Sequence, residues 1–303
     1  MSASYSSALA AAREAASAQH YPQGALYVVA TPIGNLADMT LRALHVLALA
    51  DVIACEDTRH TQQMLRAYGI DKSGGQLLAV HQHNETEAAQ TVLERLRAGL
   101  RVAYVSDAGT PGVSDPGARL AGVVSEQGLR CIPLPGASSV TALLSVAGVA
   151  GSGASTQGFV FHGFLPSKHT ERSHAVQQLA QEPRALMLLE APHRIEALAD
   201  ALAVLGERRI TIGRELTKQF EEIATVAAKD MGAWLQADAN RLRGEFAVLL
   251  HPMEVEQQGG DATRILTLLL AELPLKSAVK VAADITGQPR NALYEQALAL
   301  KKQ

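Results

Sequence analysis

The sequence predicts an α/β protein with a two-domain architecture, a parallel-sheet N-terminal domain and a mixed-sheet second domain, followed by a C-terminal helical segment. Three observations carry this. Between residues 25 and 147 short apolar runs alternate strictly with helical stretches, the order that winds a parallel sheet. Polar, glycine and proline residues collect where those runs end, at Pro32, Asp57, His83, Asp107 and Pro135. That is the edge at which open α/β sheets bind ligands. A small-residue stretch, Gly148 to Gly158, then interrupts the alternation, and strand-like runs beyond it lie close enough in sequence to pair antiparallel.

The elements follow in order. Residues 1–23 are rich in Ala and Ser, without a basic start or a continuous apolar run. They predict a flexible leader, partly helical, and not a signal peptide. Ala25 to Ala30 is the first strand, followed by a loop holding Pro32, Gly34 and Asn35. Thr40 is placed to cap a helix to about Ala50. Val52 to Glu56 is the second strand, and the helix after it stops at Tyr68-Gly69. Leu77 to His81 is the third, with Asn84 capping a helix to about Ala98. The fourth, Val102 to Val105, runs into Ser106-Asp107 and a Gly/Pro loop, where Ser114 or Asp115 can cap a helix over Ala118–Gln127. A fifth strand, Arg130 to Pro133, leads into an apolar helix opened by Ser138 or Ser139.

Residues 24–148 thus form the first domain and 149–252 the second. In the second, strands are expected at Phe159–Phe164, Ala185–Glu190, Arg209–Arg214, Glu221–Ala227 and Glu245–His251, with helices over Lys168–Ala180 and Pro192–Leu205. A polar linker, Pro252 to Asp261, opens a segment over 253–303 that reads as helices at Ala262–Glu272, Ser277–Ile285 and Arg290–Lys301. The turn at Thr286-Gly287-Gln288-Pro289 has helix-turn-helix spacing. Between Arg264 and Lys302 six Lys/Arg stand against three Asp/Glu, so RNA docking and a solvated helical cap are both open readings.

Composition narrows the class. The chain has 303 residues, is 48% hydrophobic and carries a net charge of −3, so any basic surface is local. Its two cysteines, Cys55 and Cys131, sit in apolar runs and predict buried thiols, with no zinc framework and no metal site. No run is long and apolar enough to span a bilayer, and a cytoplasmic protein is expected. The G-x-G-x-x-G and G-x-x-x-x-G-K-[ST] fingerprints are missing, against dinucleotide and P-loop readings.

Nine separated motifs carry a resemblance. ATPIGNLADMTLRAL, ACEDTRHT, HNE, VSDAGTPGVSDPG, PLPGASS, FHGFLP, LEAPHR, GRELTK and GEFAVLL, in this order over about residues 24–252, resemble the tetrapyrrole-methylase superfamily. Within it they are similar to the branch that methylates the cytidine ribose 2′-hydroxyl of small-subunit ribosomal RNA. The resemblance implies two α/β domains, an S-adenosylmethionine (SAM) cleft between them, and a homodimer. It places cofactor contacts at Pro32 and Gly34, at Ser106, Asp107, Ala108 and Gly109, and at Val113, Ser114, Ser138 and Ser139. From the second domain it implies Leu189, Glu190, Arg214, Glu215, Phe246 and Ala247. Ser106-Asp107-Ala108 stands where sister enzymes carry Gly-Asp-Pro, a departure that argues against a porphyrinoid substrate.

The chemistry needs more than cofactor binding. A ribose hydroxyl is a weak acid, so it must be held in line with the methyl and lose its proton to a base or solvent. At the sheet edge the candidates are Asp57, His83 and Glu85, and Arg59 can hold a phosphate. Each has a plainer alternative: Asp57 and Arg59 can pair with one another, His83 and Glu85 can start a helix, and Asp107 can be a helix cap. Lys168, His169, Arg172 and His174 form a basic stretch that either lines an RNA path or faces solvent. Two other functions remain open: methylation of a corrin or sirohaem precursor, and a non-catalytic ribosome-assembly factor that binds RNA.

Overall fold

A computed structural model describes residues 5–81, 84–149, 157–253 and 259–300. Five strands, β1 (Ala25–Val29), β2 (Val52–Cys55), β3 (Leu77–Ala79), β4 (Val102–Val105) and β5 (Arg130–Leu134), form one parallel sheet in the order β3-β2-β4-β1-β5. Strands β2 and β4 are buried at every residue, because helices cover both faces of the sheet. Alternate residues go to opposite sides. Ile53 and Cys55 pack with Leu44 and Leu47 of α2 (Leu41–Leu49) and Leu65 of α3 (Thr58–Ala67). Val52 and Ala54 pack with Val92 of α4 (Glu85–Arg97) and Leu120 of α5 (Gly117–Glu126). Thr40 caps α2 as expected, its hydroxyl accepting the Ala43 N–H at 3.1 Å.

The leader, expected to be partly helical, forms a helix in its described part. Ser6–Ala16 is a helix, α1, that packs on α2 with Leu9, Ala12 and Ala16 buried. Tyr5 ties its start down: its N–H donates to Ala67 O at 2.9 Å, and its ring lies 5.7 Å from that of Tyr68.

The second sheet has the order β6-β7-β10-β8-β9. Its strands are β6 (Phe159–Gly163), β7 (Ala185–Glu190), β8 (Arg209–Arg214), β9 (Glu222–Ala227) and β10 (Phe246–Leu250). The β6–β7 pair is parallel and the others antiparallel, the mixed sheet that the sequence predicts. One face is covered by α7 (His169–Leu179), α8 (Ile195–Leu202) and a short helix that sequence reading missed, α9 (Met231–Gln236), through Val176, Leu198 and Leu235. The other face packs on the first domain. Val140 and Leu143 of α6 (Ser139–Val146) lie against Met187, Ala247 and Leu249, so α6 joins the two sheets. Residues 150–156 of the expected linker lie outside the described residues.

The last three helices, α10 (Gly259–Glu272), α11 (Leu275–Thr286) and α12 (Arg290–Leu300), share a core of their own around Leu266, Val279, Ala282 and Leu293. Gly287, at φ 69°, ends α11 in the left-handed conformation that lets the chain turn into α12. Lys276, Lys280 and Arg290 are exposed on this unit.

Candidate active site

Neighbouring strands β2 and β4 end in Glu56-Asp57 and Ser106-Asp107, so two acidic strand ends meet at the carboxyl edge of the first sheet. Asp57 caps α3: its Oδ1 accepts the N–H groups of Arg59 at 2.8 Å and of His60 at 3.4 Å. Those bonds, that of Arg59 foremost, hold its carboxyl below the usual range. The Asp57 N–H in turn donates to Asp107 Oδ1 at 3.3 Å, so Asp107 links two strand ends and is not a helix cap. Glu56 Oε1 accepts the Asp107 N–H at 3.1 Å. Burial above all pushes the Glu56 carboxyl up; the Asp107 N–H opposes the shift, and the nearby carboxylates of Asp107 and Asp115 add to it.

The loop after β4 is held in place by its own sequence. Gly109 and Thr31 exchange N–H···O bonds of 3.1 and 2.9 Å, and at φ 84° a Cβ on Gly109 would lie 3.2 Å from Ile33 Cγ2. The positive φ favours glycine there, and a side chain would have to push Ile33 aside. Asp115 gathers the rest: its oxygens accept the N–H groups of Gly112 and Gly117, both at 2.7 Å, and the Tyr104 hydroxyl at 3.1 Å. Of the two residues expected to serve the start of α5, Asp115 does so.

Across this loop stand the ends of β7 and β8 and the start of β10. Together they enclose a cavity of about 490 Å³. Small-molecule sites run from about 300 to 1,000 Å³. Ser106, Asp107, Ala108, Gly109, Val113 and Ser114 form its first-domain wall, with Ser138 and Ser139 at the start of α6. Leu189, Glu190, Phe246 and Ala247 line it from the second domain. Glu190 Oε1 accepts the Ala191 N–H at 2.9 Å and faces Arg194 Nε at 3.1 Å. Its other oxygen, Oε2, is buried and makes no hydrogen bond among the described residues. A buried carboxylate oxygen left unpaired is costly.

Several predicted residues stand elsewhere. Arg214 is buried, with Nε donating to Arg243 O at 2.7 Å and Nη1 to Phe220 O at 3.2 Å, so it braces the second domain. Glu215, at φ 52°, accepts from Lys218 Nζ at 2.7 Å and from the Glu245 N–H at 2.9 Å. The cavity takes their neighbours Gly213 and Leu216 instead. Glu85 opens α4 and pairs with Arg119 at 2.7 Å, beside a separate depression of about 180 Å³. Pro32, Gly34 and Arg59 line an adjoining chamber. His83 lies outside the described residues. Sequence reading missed Glu56, although it stands in the quoted ACEDTRHT motif.

A parallel sheet whose strand ends face a mixed sheet across a small-molecule cavity defines a two-domain α/β class. Solved methylases of this fold include cobalt precorrin-4 methyltransferase, with a TM-score of 0.55 at 20% identity, covering 77% of this chain and 98% of that one. Diphthine synthase matches with a TM-score of 0.56 at 15% identity, over 75% of this chain and 90% of that one. The chain belongs to the tetrapyrrole (corrin/porphyrin) methylases, whose family model matches residues 25–232. Residues 256–301 match the RsmI C-terminal HTH domain. A relative from Neisseria meningitidis serogroup A named ribosomal RNA small subunit methyltransferase I is 48% identical over 282 residues, covering 92% of this chain and 94% of its own. The protein of that name from Escherichia coli O157:H7 is 45% identical over 280 residues, covering 91% of this chain and 95% of its own.

Proposed function

We propose that this protein transfers a methyl group from SAM to the ribose 2′-hydroxyl of a cytidine in small-subunit ribosomal RNA. One observation carries the reading: the likeness to relatives named for small-subunit ribosomal RNA methylation runs at 45–48% through both domains and into the C-terminal helices. The cavity suits the cofactor. Asp107 at its edge favours a sulfonium charge, Leu189, Phe246 and Ala247 offer an apolar wall, and Glu190 offers an acceptor to a hydroxyl or amine. Bound there, SAM supplies an electrophilic methyl group.

The protein's own residues must then orient the hydroxyl and take its proton. Asp57 is a poor base, because the N–H groups at the start of α3 stabilise its anion. Glu85 is paired with Arg119 away from the cavity. Glu56 lines the cavity, and burial and neighbouring charges make its carboxylate hold a proton more tightly, so it is the proton acceptor in this reading. The C-terminal helices dock RNA through Lys276, Lys280 and Arg290. Among the described residues no helix is long and apolar enough to cross a membrane; action on ribosomal RNA supports the reading of a cytoplasmic enzyme. A homodimer is expected of the family, and light scattering should give twice 32.1 kDa; an active monomer would exclude it. Transfer of labelled methyl from SAM to small ribosomal subunits tests the function. Label on subunits supports it, and label only on a corrin or sirohaem precursor overturns it.

A further inference from the structure

Beside the cofactor cavity lies a larger chamber of about 810 Å³. The two share Ile33, Asp107, Ala108 and Glu245, so they meet at the acidic strand end. The outer wall of the chamber is α3. It presents Arg59, Gln63 and Arg66 at i, i+4 and i+7, a single helical stripe, and all three are exposed.

The charges of the chamber are not equivalent. Lys218, which reaches it from the second domain, is spent on Glu215 and Glu245, at 2.7 and 3.1 Å. The Arg59 side chain is 91% exposed, and its Nε lies 3.6 Å from Asp57 Oδ1. An exposed pair of that length contributes little. Asp57 is moreover committed to the helix start through Oδ1. Arg66 makes no ion pair among the described residues. The outer end of the chamber therefore carries two exposed guanidinium groups, that of Arg59 held only by its 3.6 Å pair with Asp57 and that of Arg66 in no ion pair among the described residues, with the Gln63 amide between them. The inner end, toward the cofactor cavity, carries the carboxylate of Asp107.

This polarity fits a chain with repeated negative charges on the outside and a neutral hydroxyl on the inside. The geometry points to the chamber as the site for an unstacked, single-stranded RNA segment, with Arg59 and Arg66 holding phosphates next to the nucleotide whose ribose is turned toward Asp107. A chamber of this size admits splayed-out nucleotides but not a duplex, and single-stranded segments are where proteins reach ribose and base edges. Guanidinium forks match phosphate oxygens bidentately, and the Gln63 amide offers a donor and an acceptor to a base edge. The inference rests on the proposed action on ribosomal RNA and adds where the strand lies.

The test is binding of the full chain to unmethylated small ribosomal subunits across a salt series, with Arg59→Gln/Arg66→Gln compared with wild type. Arg130→Gln, on the exposed edge strand β5, is the control. Each lost contact to a single strand lowers the salt slope by about 0.7. Two should lower it by about 1.4, which is about a 25-fold loss of affinity at 0.1 M salt relative to a 1 M reference. SAM affinity by calorimetry and the melting temperature should not change, and Arg130→Gln should bind as wild type does. If the double variant keeps the wild-type affinity and slope while wild type methylates subunits, the chamber is not the RNA site and the proposed function stands. If wild type neither binds nor methylates subunits, the function falls and the inference falls with it.

Discussion

Glu56→Gln isolates proton transfer from binding. The carboxamide oxygen can still accept the Asp107 N–H now bonded to Glu56 Oε1 at 3.1 Å, so the junction of β2 and β4 is kept. What is lost is the capacity to take a proton. A positioned base contributes about 10²- to 10⁴-fold, or about 2.7 to 5.4 kcal/mol of barrier. Single-turnover transfer of labelled methyl to small subunits should slow by that factor, with SAM affinity by calorimetry within a few-fold of wild type. The pH profile gives the sharper readout. A base must be ionised to act, and the Glu56 carboxyl titrates above the usual carboxylate range because it is buried beside Asp107 and Asp115. The wild-type rate should therefore fall as pH drops through that raised value, and Glu56→Gln should lose this acid limb. Full turnover in Glu56→Gln, or an acid limb that survives there and disappears in His83→Ala, would refute the assignment.

Two further outcomes follow from the same geometry. Glu190→Gln replaces the unpaired Oε2 acceptor, and a hydrogen bond to a charged group contributes about 1.5 to 3 kcal/mol. SAM affinity should fall about 10- to 100-fold by calorimetry, and an unchanged affinity would take Glu190 out of the cofactor site. Truncation after Met253 removes α10 to α12, which carry their own core around Leu266 and Leu293. The remaining two domains should fold and bind SAM as the full chain does, while affinity for small subunits falls and its salt dependence flattens; equal affinity for subunits would end the docking role.

Much of the fold was legible because strands covered on both faces read as continuous apolar runs. VIAC and VAYV announce themselves in this way, and the acidic pairs that end them mark the ligand edge. That the leader helix packs on α2 was not legible, because its buried face is built largely from alanines, Ala12 and Ala16, which carry little hydrophobic signal. Ser106 to Gly109 and Leu189-Glu190 do line the cavity, because there the chain runs straight from strand into loop. Arg214 and Glu215 do not line it. Successive strand residues face opposite sides, and the positive φ of Glu215 turns the chain, so Gly213 and Leu216 reach the cavity in their place. The choice between Glu56 and Asp57 was equally hidden. Adjacent carboxylates look alike in sequence, and only the start of α3 shows that Asp57 is used as its cap while Glu56 stays on the cleft.

The protein methylates a ribose in small-subunit ribosomal RNA. The most direct test of this is mass spectrometry of nucleosides from small subunits incubated with the protein and isotopically labelled SAM. One labelled nucleoside, 2′-O-methylcytidine, is expected, absent when SAM is omitted. Label on a base, or no label in the RNA at all, would contradict it.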